Sequence, residues 1–184
     1  MPNHIQNRIT ADEATQTAIR ARMSGDDGLV DFNRLIRMPE HQPGVFCAHG
    51  NLGLDEEATH PAGTWYSWST QYWGTKWGPY GQPDKRDTPT LLHFQTAWSC
   101  PHPIVFALAA AMPEASFVWE YADEDFGYNL GRYRVESGRI FYNAVPEVGS
   151  AEAVAWAQAL HGVDWTDDEE EAGVRGGTGV DSGG

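Results

Sequence analysis

The sequence lacks the features of membrane-spanning, disulfide-stabilised and exported proteins. It contains no run of about 18 apolar residues, the length that a transmembrane helix needs, and we expect no membrane span. Its two cysteines, Cys47 and Cys100, are too few for a disulfide scaffold. Residues 1–4 have neither the basic nor the apolar region of a signal peptide. These absences indicate a cytoplasmic protein.

Basic residues are scarce as well. The chain of 184 residues has 12 lysines and arginines against 26 aspartates and glutamates, so its net charge is −14. Proteins bind a phosphate backbone with Lys and Arg side chains that displace its counterions, and this composition therefore argues against a nucleic-acid partner. The same charge favours solubility, or attraction to a basic surface on another protein.

The acidic residues are concentrated at the C-terminus. Residues 163–184 hold seven acids and one arginine, a net charge of −6, which leaves −8 for residues 1–162. This glycine-rich tail is predicted to be disordered, either as a solvated appendage or as a mimic of nucleic-acid charge that occupies a basic groove. The chain is 41% apolar, enough for one core, and we assign a single domain to residues 1–162.

An aromatic-rich insertion is predicted at about residues 39–89. Proline and glycine interrupt residues 39–64 and 79–89, which indicates loops at both ends of the insertion. Between them we predict a short helix over 64–73, ended by Gly74.

Trp73, Lys76 and Trp77 lie close together in the stretch 72–78, where this helix ends. Buried indoles would form a hydrophobic plug at the end of a sheet, which is the commoner role of large aromatic residues. Exposed indoles would form a binding platform with Lys76 as its charged group, because exposed tryptophan rimmed by charge is typical of binding hot spots. The sequence leaves both interpretations open.

Hydrophobic patterns outside the insertion predict a series of strands and helices. Strands are predicted at 4–10, 29–38 (a strand or an extended segment), 90–98, 116–122, 127–135 and 139–144, and helices are capped by Thr10, Ser99 and Ser150. The last helix is predicted to run to about His161 and to end at Gly162. The last two strands form a hairpin through Ser137-Gly138. This order indicates an α+β fold of ferredoxin-like type, an antiparallel sheet with helices on one face.

The clearest predicted strand is residues 90–98. Alternation places Leu92, Phe94, Thr96 and Trp98 on one face, and His93 and Gln95 on the other. We expect this strand to lie inside the sheet, and Trp73 and Trp77 to lie near Trp98.

Several short motifs carry a resemblance to a known family. In chain order they are Met1-Pro2-Asn3-His4 with Asn7, Trp73-Gly74-Thr75-Lys76-Trp77, Phe94-Gln95-Thr96-Ala97-Trp98-Ser99, and Glu120-Tyr121 followed by Phe126-Gly127 and Gly131. With these motifs the chain resembles the YubB-type ferredoxin-like domain over about residues 1–145, which leaves the last helix outside. Gly78 and Cys100 depart from the family pattern. The resemblance implies a domain carried by phages, plasmids and integrated mobile islands, with no established activity and no catalytic residues.

Two Cys-x-His pairs, Cys47 with His49 and Cys100 with His102, supply the ligand types of tetrahedral zinc. Their spacing is tighter than zinc sites usually have, and we predict no metal site. The sequence also has no glycine-rich phosphate loop between a strand and a helix, so we expect no cofactor.

Nucleophilic and acid–base chemistry have candidate residues but no supporting motif. Ser99 and Cys100 stand at a predicted helix start, where the helix dipole lowers a thiol pKa, but Ser99 is explained as a cap and no oxyanion motif accompanies it. Carboxylates for glycosidase-like chemistry stand at a strand end and turn, where acids are usually just solvated; they are Glu120, Asp123, Glu124 and Asp125.

The leading hypothesis is a non-catalytic, cytoplasmic binding protein of a mobile genetic element. It would dock an aromatic surface, or its acidic face, on a host protein, and family context suggests counter-defence as the setting. The candidate binding residues are Trp73, Lys76, Trp77, Trp98 and His93. The alternative is an enzyme or small-ligand binder that uses the Trp-rich cleft, with His93 or Glu120 as acid or base. Stacking of single-stranded nucleic acid on the tryptophans is disfavoured by the charge.

Overall fold

One antiparallel sheet organises the computed structural model, which describes residues 3–50, 54–143 and 145–163. Its five strands are β1 (His4–Thr10), β2 (Leu91–Ala97), β3 (Phe117–Asp123), β4 (Leu130–Glu136) and β5 (Arg139–Asn143), in the spatial order β2-β1-β3-β4-β5. The helices are α1 (Glu13–Met23), α2 (Leu54–Thr59), α3 (Trp65–Tyr72), α4 (His102–Ala111) and α5 (Ala151–His161). The predicted α+β, ferredoxin-like class is confirmed. The predicted disordered tail lies outside the described residues, apart from Val163.

The first face of the sheet carries the main core. Asn7 pairs with Phe94 on one side and with Tyr121 on the other, so alternation places Ile5 and Ile9 on the same face as these residues. All of these apolar side chains are buried in one cluster with residues of α1 and α4. The two helices predicted on one face of the sheet are therefore α1 and α4.

The second face is covered by α5. Ala153, Ala157 and Leu160 of this helix pack on Ala122 and Leu130, and Ala122 alternates with the first-face residues of β3. The prediction that the helices lie on one face therefore holds for α1 and α4 but not for α5, which packs on the opposite face. Its predicted ends are correct: Ser150 caps the first turn, and Gly162 ends the helix with φ of 71°.

The β4–β5 hairpin forms where it was predicted. Ser137 and Gly138 have φ values of 48° and 72°, the positive values at both central positions that a type I′ turn requires. This turn matches the twist of the flanking strands. A short Ser-Gly connection between two alternating segments is therefore a strong sequence signal for a hairpin.

Residues 29–38 do not form a strand, which was one of the two predicted alternatives, and a 3-10 helix interrupts the extended segment that was the other. A single bridge joins Ser24 and Val30, and a 3-10 helix follows at Phe32–Arg34. Phe32 is buried, and Leu35 and Ile36 pack against the same core. Their spacing, i, i+3 and i+4, is that of one helical face, and it explains why the pattern was misread.

β2 is an edge strand, so the prediction that it lies inside the sheet is wrong. Its outer edge is partly covered by Tyr80, whose backbone N–H donates to the Gln95 carbonyl at 3.0 Å and whose carbonyl accepts from the Gln95 N–H at 2.7 Å. A covered edge presents fewer unpaired groups to other chains. The loop at the end of the insertion thus protects the sheet.

Two predicted helix caps are also wrong. Asp12, not Thr10, caps α1 and accepts a hydrogen bond from the Thr15 N–H at 2.9 Å. Pro101 occupies the cap position of α4, and the Ser99 hydroxyl donates instead to the Gly74 carbonyl. No helix among the described residues is both long and apolar enough to span a membrane. The assignment of one domain to residues 1–162 stays a prediction.

Candidate functional site

The aromatic loop begins where α3 ends. Thr64 caps α3 in a capping box with Ser67, and Gly74 turns the chain with φ of 77°. A Cβ atom on Gly74 would lie 2.9 Å from Cδ of Pro103 in α4. Only glycine fits this conformation and this close approach without strain, and the loop therefore rests directly on the first turn of α4.

Two buried hydroxyl groups hold the backbone of this loop. Ser69 donates to the carbonyl of Lys76 at 2.6 Å, and Thr75 donates to the carbonyl of Trp77 at 2.6 Å. Ser69 and Thr75 are both buried. The backbone on either side of the Lys76 side chain is thereby fixed.

The Lys76 ammonium lies between two indole rings. Its Nζ atom is 5.0 Å from the ring centroid of Trp77 and 4.8 Å from that of Trp98. Tyr66 of α3 packs edge-on against Trp98, with ring centroids 6.0 Å apart. Each cation–π contact contributes about 0.5–1 kcal/mol at an exposed site. We call Trp77, Trp98 and the Lys76 side chain between them the indole cage.

Trp98 has an unusual backbone for a bulky residue. Its φ is 74°, in the left-handed region, and its side chain is 40% exposed. The Trp98 N–H donates to the Asn3 carbonyl at 3.0 Å, and the Asn129 side-chain amide donates to the Trp98 carbonyl at 3.1 Å. Such a conformation costs roughly 1–3 kcal/mol and persists where surrounding contacts impose it, often at functional sites. The predicted strand 90–98 therefore stops at Ala97.

Trp73 lies apart from the cage, in the core. It is 5% exposed, and its indole N–H donates to the Ile36 carbonyl at 2.8 Å. Edge-on contacts with Phe32 and Trp68 complete its surroundings. The two interpretations of the aromatic stretch thus apply to different residues: Trp73 is a core plug, and Trp77 and Trp98 form the partly exposed surface.

His93 lies on the second face of the sheet, away from the cage. It is 3% exposed, and its Nδ1 atom is 3.0 Å from the Asp87 carboxylate. Burial lowers the pKa of His93, and the hydrogen bond to Asp87 opposes this shift. The structure does not bring His93 together with Trp77 and Trp98, although its role as a binding residue stays a prediction.

Glu120 is also on the second face, between two arginines. Arg8 donates to one carboxylate oxygen at 2.5 Å, and Arg132 donates to the other at 2.7 Å. The side chain of Glu120 is almost wholly buried, and Trp156 of α5 stacks on Arg132 with 5.5 Å between the guanidinium carbon and the ring centroid. These contacts form a structural ion-pair network that ties neighbouring strands together on the second face.

The cysteine and acidic candidates have structural partners. Cys100 is fully buried, and burial raises the pKa of its thiol, opposite to the effect of the helix dipole. His102 bonds to the Tyr133 hydroxyl at 2.7 Å, and Asp123 accepts from the side-chain amides of Asn3 and Asn129. The described parts of the chain contain no group of three or more side chains arranged to hold a metal ion.

A tyrosine cluster near the N-terminus of α4 was not predicted. Tyr121 lies across Gly131 of β4, where a Cβ atom would come within 2.5 Å of its ring, and its hydroxyl is 3.3 Å from that of Tyr142. Burial raises the pKa of Tyr133 to about 12. The signal in the sequence was Gly131, a glycine inside a strand, which often marks close approach of another group.

The fold and the site together define an α+β ferredoxin-like domain with an aromatic surface at one end of its sheet. A family model described as the ferredoxin-like domain in Api92-like protein matches residues 73–171, just over half of the chain, and the chain belongs to this family. The match begins at Trp73, includes the indole cage and continues through α5, which the sequence resemblance left outside. No curated protein and no solved structure matches the chain.

Proposed function

We propose that this chain is a non-catalytic binding protein that docks on a partner protein through the indole cage. The observation that carries this proposal is Trp98, a large apolar side chain that is 40% exposed and held in a left-handed conformation. Stability alone would favour glycine at this left-handed position, or an indole that is buried. Binding hot spots are enriched in tryptophan set among charged groups, and Lys76 supplies the charge here.

The finer part of the proposal concerns the partner. The YubB-type resemblance supports a protein of a phage, plasmid or integrated island, and the partner would then be a protein of the host cell, met in the cytoplasm. A role in counter-defence is one setting for such an interaction. The net charge of −14 favours a basic surface on that partner and disfavours nucleic acid.

The enzymatic alternative has less support. It required His93 or Glu120 beside the aromatic cleft, and both are buried on the second face of the sheet. Both oxygens of the Glu120 carboxylate already accept hydrogen bonds, one from Arg8 and the other from Arg132, and they face these arginines rather than the cleft.

The proposal is tested with substitutions that separate surface from core. Trp98→Ala should keep the fold but reduce capture of a partner from lysate of a natural host by tenfold or more, since loss of a hot spot costs about 2 kcal/mol or more. Phe106→Ala is the matched control, because Phe106 is an exposed aromatic residue on α4 whose ring packs on Tyr133. Quantitative mass spectrometry of the captured proteins is the measurement. Equal capture by the wild-type and Trp98→Ala proteins would contradict docking through the cage.

A further inference from the structure

The indole cage already contains a cation. The Lys76 ammonium lies 5.0 Å from one indole centroid and 4.8 Å from the other, which is the geometry in which aromatic cages hold organic cations. Within the described residues, no carboxylate forms an ion pair with it. Among these residues the ammonium contacts the two ring faces, at the end of a flexible side chain with four carbons in its stem.

We propose that Trp77 and Trp98 form a binding site for a cationic side chain of the partner, and that Lys76 is an internal occupant which this side chain displaces. The inference rests on the proposed docking function and adds the chemistry of the group that is recognised. It explains why a lysine, which solvates well on its own, is placed between two large apolar rings at a partly exposed site.

The backbone that carries the two rings is held independently of the Lys76 side chain. Hydrogen bonds from Thr75 to the Trp77 carbonyl and from Asn129 to the Trp98 carbonyl hold the backbone at both indoles. Only the Lys76 side chain has to move for exchange, while its backbone stays bonded to Ser69. A preformed site of this kind loses little conformational freedom on binding.

The charge around the cage favours a cation over an anion. The Asn129 amide that donates to the Trp98 carbonyl also donates to the Asp123 carboxylate at 3.0 Å, so a buried negative charge lies one side chain away from the cage. Glu124 is next in sequence and accepts from the His4 N–H at 3.0 Å. With a net charge of −14, the whole chain attracts cationic groups.

The first test opens the cage and offers it a small probe. Lys76→Ala should bind choline about tenfold more tightly than the wild-type protein does, because the Lys76 ammonium no longer competes for the ring faces. The neutral isostere 3,3-dimethyl-1-butanol should bind neither protein measurably. The sequence has one other lysine, Lys85, which is exposed, and Lys85→Ala serves as the matched control with wild-type affinity. Adding Trp98→Ala to Lys76→Ala should abolish choline binding in calorimetry.

The second test follows displacement in the chain with its own lysine. Reductive methylation with labelled formaldehyde keeps the charge of both lysines and gives each a methyl signal in NMR spectra. The ring currents of two indoles should move the Lys76 signal upfield of the Lys85 signal. Choline should return the Lys76 signal toward that of Lys85, since displaced methyl groups leave the ring faces.

The outcomes distinguish this inference from docking itself. Failure of Lys76→Ala to bind choline, or choline binding that leaves the methyl signal of Lys76 upfield, would overturn the cation site even where Trp98→Ala loses a captured partner. Choline binding that fully displaces the Lys76 side chain would support the cation site even where no partner is captured. In that case only the proposed docking function would be contradicted.

Discussion

Gly74 shows how a single residue positions the aromatic loop. Its φ is 77°, and a Cβ atom at this position would lie 2.9 Å from Pro103, so Gly74→Ala must both strain the backbone and displace α4. We expect a loss of about 2–3 kcal/mol in the free energy of unfolding, measured by urea denaturation. Gly28→Ala is the matched control, because Gly28 has φ of 79° and open space around it. An equal loss in both variants would show that the contact with Pro103 contributes nothing.

The strain at Trp98 predicts an unusual order of stabilities. Trp98→Gly should be more stable than Trp98→Ala by about 1 kcal/mol, because the left-handed region costs an L-residue roughly 1–2 kcal/mol and glycine's larger unfolded-state entropy offsets part of this gain. At the exposed helical position Ala110, glycine should instead be less stable than alanine. Thermal unfolding of both pairs checks the prediction. The usual order at position 98 would indicate that the backbone there is relaxed.

At the scale of elements, local sequence signals predicted the fold better than the site. The hairpin turn at Ser137-Gly138 and the ends of α5 depend on neighbouring residues alone, and both were predicted correctly. The edge position of β2 depends on which strands pair across the whole chain, information that alternation does not contain. For the cage, the sequence predicted that Trp77 lies near Trp98, but it did not distinguish these two rings from Trp73, whose burial in the core depends on tertiary packing.

The loop that covers β2 is attached to α5 through Arg86, and this connection should depend on pH. Arg86 donates to the Leu160 carbonyl at 2.8 Å and to Asp84, whose pKa is lowered to about 2 chiefly by this hydrogen bond. A depressed carboxyl pKa stabilises the fold above the unfolded-state value, here about 4, and this contribution is lost as the pH falls toward 2. Urea midpoints should show wild type above Asp84→Asn at pH 6, with a difference that shrinks between about pH 4 and 2. A constant difference would mean that the carboxylate charge is unimportant.

At the scale of the whole molecule, the two faces of the sheet have separate roles. The first face holds the main core and supports the cage through the contact of Gly74 with α4. The second face combines α5 with the Arg8–Glu120–Arg132 network. Because the cage is built from the insertion and from Trp98, the residue that follows β2, its geometry requires both parts to be folded at the same time.

The two cysteines provide a test of whether the insertion and the sheet unfold as one unit. Cys47 lies in the insertion and Cys100 in the main core, and both are buried, so each thiol should react with a maleimide reagent only after unfolding. If residues 1–162 form one domain, labelling of Cys47→Ser and Cys100→Ser variants across a urea series should give free energies equal to the global value from circular dichroism, after correction for each variant's own stability. Labelling of Cys47 at clearly lower urea than Cys100 would show that the insertion opens independently. The indole cage would then be a switchable surface that disassembles while the sheet remains intact.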